Sequence, residues 1–269
     1  MRLLSRFKPM SLDSDAKLVS ALVRGVKILQ CFSNKRQELS GKDLMDMTGL
    51  PKPTLFRLTD TLCELGMLRY SERLSKYVPG IGLLNLSSPV LARMTMRQFA
   101  RTQMQDLANY MGGQIQLAVG SGRQLVLVEL ANGMDNRVFT PEIGVNVSIS
   151  RTATGRAYLL GLPAAEREAY LQDLQQSDPE RAALLQERLV DAKTDLLEHG
   201  FCRSHGDLHR EILSIAVPLS QQLDGESWVF GASVPTYNPK SKELDTDIGP
   251  RLITLVRSIE GVLGASSLS

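Results

Sequence analysis

At Gly49-Leu50-Pro51 one helix has to end and another has to begin, and no other stretch restricts this 269-residue chain as tightly. Upstream, Ser40 precedes GKDLMDM with Asp43 three residues on, the pattern of a capping box in which a hydroxyl and an acid satisfy each other's exposed amides. Gly49 tolerates the left-handed conformation that closes a helix C-terminus. Pro51 and Pro53 lack amide hydrogens that the first turn of a helix does not need, so Pro51 to Glu64 is predicted helical, with Leu55, Leu58 and Leu62 on its apolar face. Two short helices joined by a tight turn follow.

The flanking segments complete a larger pattern. Ser20 to Phe32 places Leu22, Val26, Leu29 and Cys31/Phe32 at helical spacing, with Arg24 and Lys27 on another face. After Gly66, MLRYSERLSKYVPG alternates, breaks at the polar SERLSK tip and resumes at Tyr77 and Val78, as a hairpin does. Helix, turn, helix and a basic-tipped hairpin make a winged helix-turn-helix, whose second helix enters the major groove of double-stranded DNA. Lys52, Thr54 and Arg57 fall on the start and exposed side of that helix, where Arg can fork onto a guanine edge and Thr can reach a phosphate or a thymine methyl. Arg73 and Lys76 fall at the wing tip. Charge supports the reading. Residues 1–88 hold 14 Lys/Arg and 8 Asp/Glu, a surplus of six positive charges, whereas residues 89–269 hold 17 and 21, a deficit of four. One recognition helix reads only a few base pairs, so a homodimer, or a tetramer built from dimers, is expected.

Ser88-Pro89 opens a region predicted as one connector helix, from about Val90 to Met111, with Met94, Met104, Leu107 and Met111 on an apolar stripe. From Gln114 the period changes to two, and IQLAVG, QLVLVELA and VNVSI read as strands. Helices are predicted over 152–162, 164–174 and 179–199, strands at ILSIAVPL and SWVFGASVP, and a closing helix over 243–263. The fold class is α+β, divided into a winged helix-turn-helix over 15–88, a connector over 89–111 and a sensor domain over 112–269.

Enzyme chemistry finds little footing. His205 and His209 are four apart, but Gly206 and Asp207 between them do not make the acid-beside-histidine pattern of a helical zinc site, so no metal is assigned. Neither GxSxG nor a phosphate loop ending in GK[ST] occurs, and no cofactor is called for. Cys31, Cys63 and Cys202 are odd in number and far apart, which fits buried thiols better than a disulfide framework. No stretch approaches the roughly 18 apolar residues of a bilayer span. Met1 to Met10 has no apolar core followed by a small-residue cleavage site, and the expected location is the cytoplasm.

Three segments together resemble the IclR family of bacterial transcription regulators: TGLPKPTLFRLTDTLCELGML, GVNVSISRTATGRAYLL, and EHGFCRSHGD followed by REILSIAVPL. The likeness runs from about Leu18 to Gly264. It implies an N-terminal winged helix for DNA and a C-terminal GAF-like domain for a small organic effector, a carboxylate or aromatic acid. The effector pocket it implies comprises Ala153, Thr154 and Gly155 at a helix start, Ser204, Ile212 and Ser214, and Ser233 and Pro235 on a later strand. A helix start offers amides and a favourable dipole to a carboxylate, and small residues there serve packing or a cap equally well. Pro53 stands where many members have Ser, Asp207 where the signature usually has Glu, and Leu219-Ser220-Gln221 lacks the aromatic and Asp/Asn usual there. The reading is a ligand-responsive transcriptional regulator and not an enzyme. Its alternative is a DNA-binding protein whose C-terminal domain is enzymatic or purely oligomerising.

Overall fold

The computed structural model describes residues 18–121, 123–134, 141–223 and 225–266; Met1 to Met10 and the expected first residues of the 15–88 domain lie outside them. The chain divides into two compact units, Met1–Met94 and Thr95–Ser269.

The first unit holds α1 (Ser20–Leu29), α2 (Gly41–Thr48), α3 (Lys52–Glu64), the hairpin β1 (Leu68–Ser71) and β2 (Lys76–Pro79), and α4 (Gly82–Arg93). The capping box forms as read. Ser40 N–H donates to Asp43 Oδ2 at 2.8 Å and Asp43 N–H to Ser40 Oγ at 3.2 Å. Gly49 closes α2 at φ +69°, and Pro51 caps α3. Ile28, Leu44, Leu55, Leu62, Leu68 and Tyr77 share one core. The apolar stripe of α1 is divided: Ile28 and Cys31 are buried in this core with Leu29 and Phe32 packed against it, whereas Leu22 and Val26 remain exposed. A single hydrophobic period admits both faces, and packing against α3 selects the narrower one.

The expected connector over 89–111 is two helices. α4 begins already at Gly82 and contains Pro89, and helical hydrogen bonding breaks at Met94, whose ψ is 77°. α5 (Thr95–Met111) follows and buries Met96, Ala100, Met104, Leu107, Ala108 and Met111.

The second unit is built on a five-stranded antiparallel sheet, in the order β4-β3-β7-β6-β5. The strands are β3 (Gln114–Ser121), β4 (Gln124–Asn132), β5 (Cys202–His205), β6 (Ile212–Pro218) and β7 (Ser227–Pro235). One face carries Ile115, Leu117, Ile215 and Phe230 and is covered by α5 and α9 (Gly249–Ser266). The other carries Ala118, Ala216, Val229 and Cys202, packed on Ala153, Ala157 and Tyr158 of α6 (Ala153–Gly161), with α7 (Ala164–Ser177) and α8 (Pro179–His199) outside it. All three cysteines are free, Cys31 and Cys202 buried and Cys63 half-buried. Burial pushes the Cys202 thiol up to about 12.

Three strand and helix expectations are revised. VNVSI is not a strand: Val145 and Val147 bond to Leu127 and Leu125 of β4, but only Asn146 forms a bridge, because the turn at 143–144 and the cap before α6 leave too little extended chain. Cys202–His205 is a strand that its own four residues do not announce. The closing helix is preceded by a 3-10 turn over Pro239–Glu243 and a π turn over Leu244–Ile248, which hold Asp245 2.9 Å from Arg203 and Asp247 2.8 Å from Arg251.

Candidate nucleic-acid interface and effector site

On α3, Leu55 and Thr59 are wholly buried, which turns Lys52, Pro53, Phe56, Arg57 and Asp60 outward and leaves Thr54 half-buried. Among the described residues no ion pair involves Lys52, Arg57 or Arg73, so these cations are open to a polyanion. Lys76 differs, since its Nζ lies 3.8 Å from Glu38. The wing is held to its neighbours by two devices. Leu39 and Tyr77 exchange backbone hydrogen bonds of 3.0 and 2.8 Å, and the hydroxyls of Thr59 and Tyr77 meet at 3.2 Å. The α2 end is held by Lys27, whose Nζ donates to the Thr48 carbonyl at 2.9 Å, a cation at a helix C-terminus. All five residues read from the sequence as contacting DNA therefore lie on one helix and one hairpin whose mutual placement is fixed from within the unit. Phe56, which also lies on that helix face, carried no sequence signal because its spacing equals that of a core position.

The residues expected at an effector site gather on the α6 face of the sheet. Register pairs Gln114 with Ser233, Ser233 with Ser214, and Ser214 with Ser204, so four side chains from four strands form one cross-strand row. Pro235 and Ile212 pair beside it. The next row contains Gln116 and Gly231, and a Cβ at Gly231 would lie 2.7 Å from Thr154 Oγ1, which places Thr154 over that row. Ser214, Ser233 and Ile212 are half-buried, and Ser204, Thr154, Ala153 and Gly155 are buried.

Gly155 has a packing role. A Cβ there would lie 2.3 Å from Ile149 Cα and 2.4 Å from its carbonyl oxygen, so the missing side chain serves the close approach of α6 to the preceding turn. Its amide is also occupied: Gly155 N–H donates to Thr152 Oγ1 at 2.9 Å. The donors expected from the helix start are thus fewer than the sequence suggests.

A charged corner adjoins the row. Ser204 Oγ donates to Asp207 Oδ2 at 3.0 Å, and the same oxygen lies 2.9 Å from Arg156 Nη2. Arg188 stands 3.6 Å from Asp207 Oδ1, and Arg151 Nε donates to the Asp207 carbonyl at 3.2 Å. Arg156 is only 2% exposed and also donates to the Arg203 carbonyl at 2.7 Å. Burial pushes the Asp207 carboxyl up, but the Ser204 hydroxyl, Arg156 and Arg188 outweigh it and hold it below the usual carboxylate range. Arg156 and Arg188 meet the Asp207 carboxylate and Arg151 its backbone carbonyl, and with Arg188 shared with Asp191 at 3.9 Å the corner keeps a surplus of one positive charge. Gln114, Gln116, Arg156 and Asp207 were not read as site residues from the sequence: a lone Arg within a helix resembles a surface charge, and only strand register shows what the glutamines face.

His205 ends β5 and His209 lies in the turn before β6, both exposed, so their spacing does not sit on a helix. Among the described residues no group of His, Cys, Asp and Glu is arranged to hold a metal ion. A groove of about 660 Å³ between α5 and α9 lies on the opposite sheet face. Its lining holds Asp106 and Asp247 against the cation Arg251, which is itself paired to Asp247 at 2.8 Å, so the hydroxyl row with its surplus of positive charge is the better candidate for an anion. Among the described residues no helix is long and apolar enough to cross a membrane.

Comparison with known proteins agrees with this geometry. The IclR helix-turn-helix domain model matches residues 21–72, and the model of the bacterial transcriptional regulator IclR C-terminal domain matches residues 88–258. The HTH-type transcriptional regulator TsaQ1/TsaQ2 of Comamonas testosteroni is 27% identical over 94% of this chain and 92% of its own length. An IclR family transcriptional regulator from Brucella abortus superposes with a TM-score of 0.81 at 32% identity, covering 97% of this chain and 98% of that one. An IclR homolog from Microbacterium hydrocarbonoxydans, solved with 4-hydroxybenzoate, shares the fold at a TM-score of 0.66 and 20% identity, over 88% of this chain and 99% of its own.

Proposed function

Since this chain belongs to the IclR family of bacterial transcriptional regulators and is a DNA-binding regulator of that kind and not an enzyme, we propose that its C-terminal domain takes a small organic acid as effector. The observation that carries this reading is the row Gln114–Ser233–Ser214–Ser204 beside the arginine-rich corner at Asp207. The half-buried Ser214 and Ser233 hydroxyls offer directional hydrogen bonds, and the surplus positive charge favours an anion. Thr154, Ala153, Gly155, Ile212 and Pro235 bound the site, the first four by polar contact or close packing and Pro235 as apolar wall. Gly155 acts through the turn it packs on, while Ser214 and Ser233, both half-buried, offer their hydroxyls to the ligand.

In the N-terminal domain, residues 15–88, Lys52, Thr54 and Arg57 enter the major groove of an operator, with Arg73 and Lys76 on the backbone. The protein acts in the cytoplasm, as a homodimer or a tetramer built from two dimers. The exposed apolar positions Leu22 and Val26 of α1, at 68% and 43% exposure, and Leu84, Leu86 and Val90 of α4 supply a surface for such pairing. Isothermal titration of the full chain with a panel of small carboxylates tests the effector assignment. Saturable binding without turnover supports it, whereas turnover of any member, or no binding across the panel, counts against it. Footprinting upstream of the protein's own gene, with and without each acid, tests the operator assignment.

A further inference from the structure

We infer that Phe56 is a specificity-determining residue that reads the C5 methyl group of a thymine in the operator, an inference that rests on α3 entering the major groove. Phe56 is 37% exposed between wholly buried Leu55 and Thr59, on the same outward face as Lys52 and Arg57. A phenyl ring contributes nothing to phosphate binding, and its exposed edge on the groove-facing side of α3 lies beside two cations. Burying that edge is favourable against an apolar group, and the apolar feature that projects into the major groove of B-DNA is the thymine methyl.

The ring is also held ready. Its Cζ lies 3.3 Å from where a Cβ would stand at Gly41, the first residue of α2, so a side chain at 41 would displace it. The Lys52 ammonium also lies over the ring, 5.8 Å from its centroid. One element therefore supports the ring from behind while Lys52, next along the helix face, is free to bind phosphate. Little rotamer freedom remains to be lost when the ring meets DNA.

The test uses the full-length chain and double-stranded DNA alone. The protein selects its preferred sites from a library of random-sequence duplexes, and each thymine of the selected site is then replaced singly by deoxyuridine, which removes only the C5 methyl. At one thymine per half-site the wild-type chain should lose about fourfold in affinity, the value of one buried methyl group. Phe56→Ala should bind more weakly and no longer distinguish thymine from uracil at that position. If that variant does not fold, Phe56→Gln, whose stem still covers Gly41, should lose the same discrimination. A wild-type site indifferent to every deoxyuridine would overturn the inference without any variant, and so would equal discrimination by wild type and either variant. Failure to select any duplex sequence would instead strike the reading of α3 as the recognition helix, and this inference with it.

Discussion

The hydroxyls of Thr59 and Tyr77 lie 3.2 Å apart in the buried centre of the N-terminal unit, joining the recognition helix to the second strand of the wing. Thr59 Oγ1 is also 2.9 Å from the Phe56 carbonyl, so both hydroxyls have partners. Tyr77→Phe should therefore cost about 0.5–1.5 kcal/mol, one hydrogen bond, in urea unfolding. Thr59→Val should cost about 1–3 kcal/mol, because it leaves the Tyr77 hydroxyl buried and unsatisfied. Unfolding midpoints equal to wild type for both variants would show that this bond does not tie the two elements.

Operator binding should weaken steeply with salt, the slope falling by about 0.9 for each phosphate contact removed. Arg73→Ala should reduce that slope more than Lys76→Ala, since Lys76 is already partly neutralised by Glu38. Arg57→Ala should cost about 1–3 kcal/mol and relax preference at one base pair if the guanidinium meets a guanine edge. Fluorescence anisotropy at several salt concentrations measures all three, and a uniform loss across sequences for Arg57→Ala would make it a phosphate contact instead.

At the effector site, Ser214→Leu and Ser233→Leu should abolish the response to a bound acid and leave DNA affinity unchanged, because each fills the half-buried row with side chain. Gly155→Ala is expected to act differently. Its Cβ meets backbone at 2.3 Å, so it should destabilise the fold by about 1–3 kcal/mol, read in thermal unfolding without ligand. Effector affinity unchanged in folded Ser214→Leu would locate the ligand elsewhere.

Asp207 should make stability acid-sensitive. Its folded pKa lies below the unfolded value of about 3.9, so its contribution is fully present above that pH and is lost as pH falls through the folded value. Wild type should therefore lose stability below about pH 4 more steeply than Asp207→Asn. At neutral pH the variant should be less stable by about 1–3 kcal/mol, since Arg156 and Ser204 lose a charged partner. Parallel pH profiles for the two proteins would contradict the shift.

Leu22→Glu together with Val26→Glu should shift the chain toward monomer in light scattering and leave its circular dichroism unchanged, because neither side chain is in the α1 core. An unaltered oligomeric mass would remove α1 from the subunit interface.

Much of the recognition unit is legible from residues a few positions apart. The Ser40–Asp43 box, the left-handed Gly49 and the Pro51–Pro53 start act within a single turn of chain, so their meaning survives without knowledge of anything distant. The same holds for β3 and β7, whose alternation states which side chains share a face, whereas in β4 a bulge puts Leu127 and Glu129 on opposite faces.

Alternation says nothing of which strand lies alongside. That Ser204, Ser214, Ser233 and Gln114 fall in one row is decided by register between strands up to 119 residues apart in the chain, and it also makes a strand of Cys202–His205. Likewise, nothing local distinguishes Arg156 from a surface arginine until Asp207 is brought within 2.9 Å of it, or tells that Gly155 faces a turn and not a ligand. Caps, prolines and periodicity act through the backbone of neighbouring residues, which the order of amino acids contains. Burial, ion pairing and hydrogen bonding between strands depend on distances that exist only once the sheet has formed and the helices have closed on its two faces.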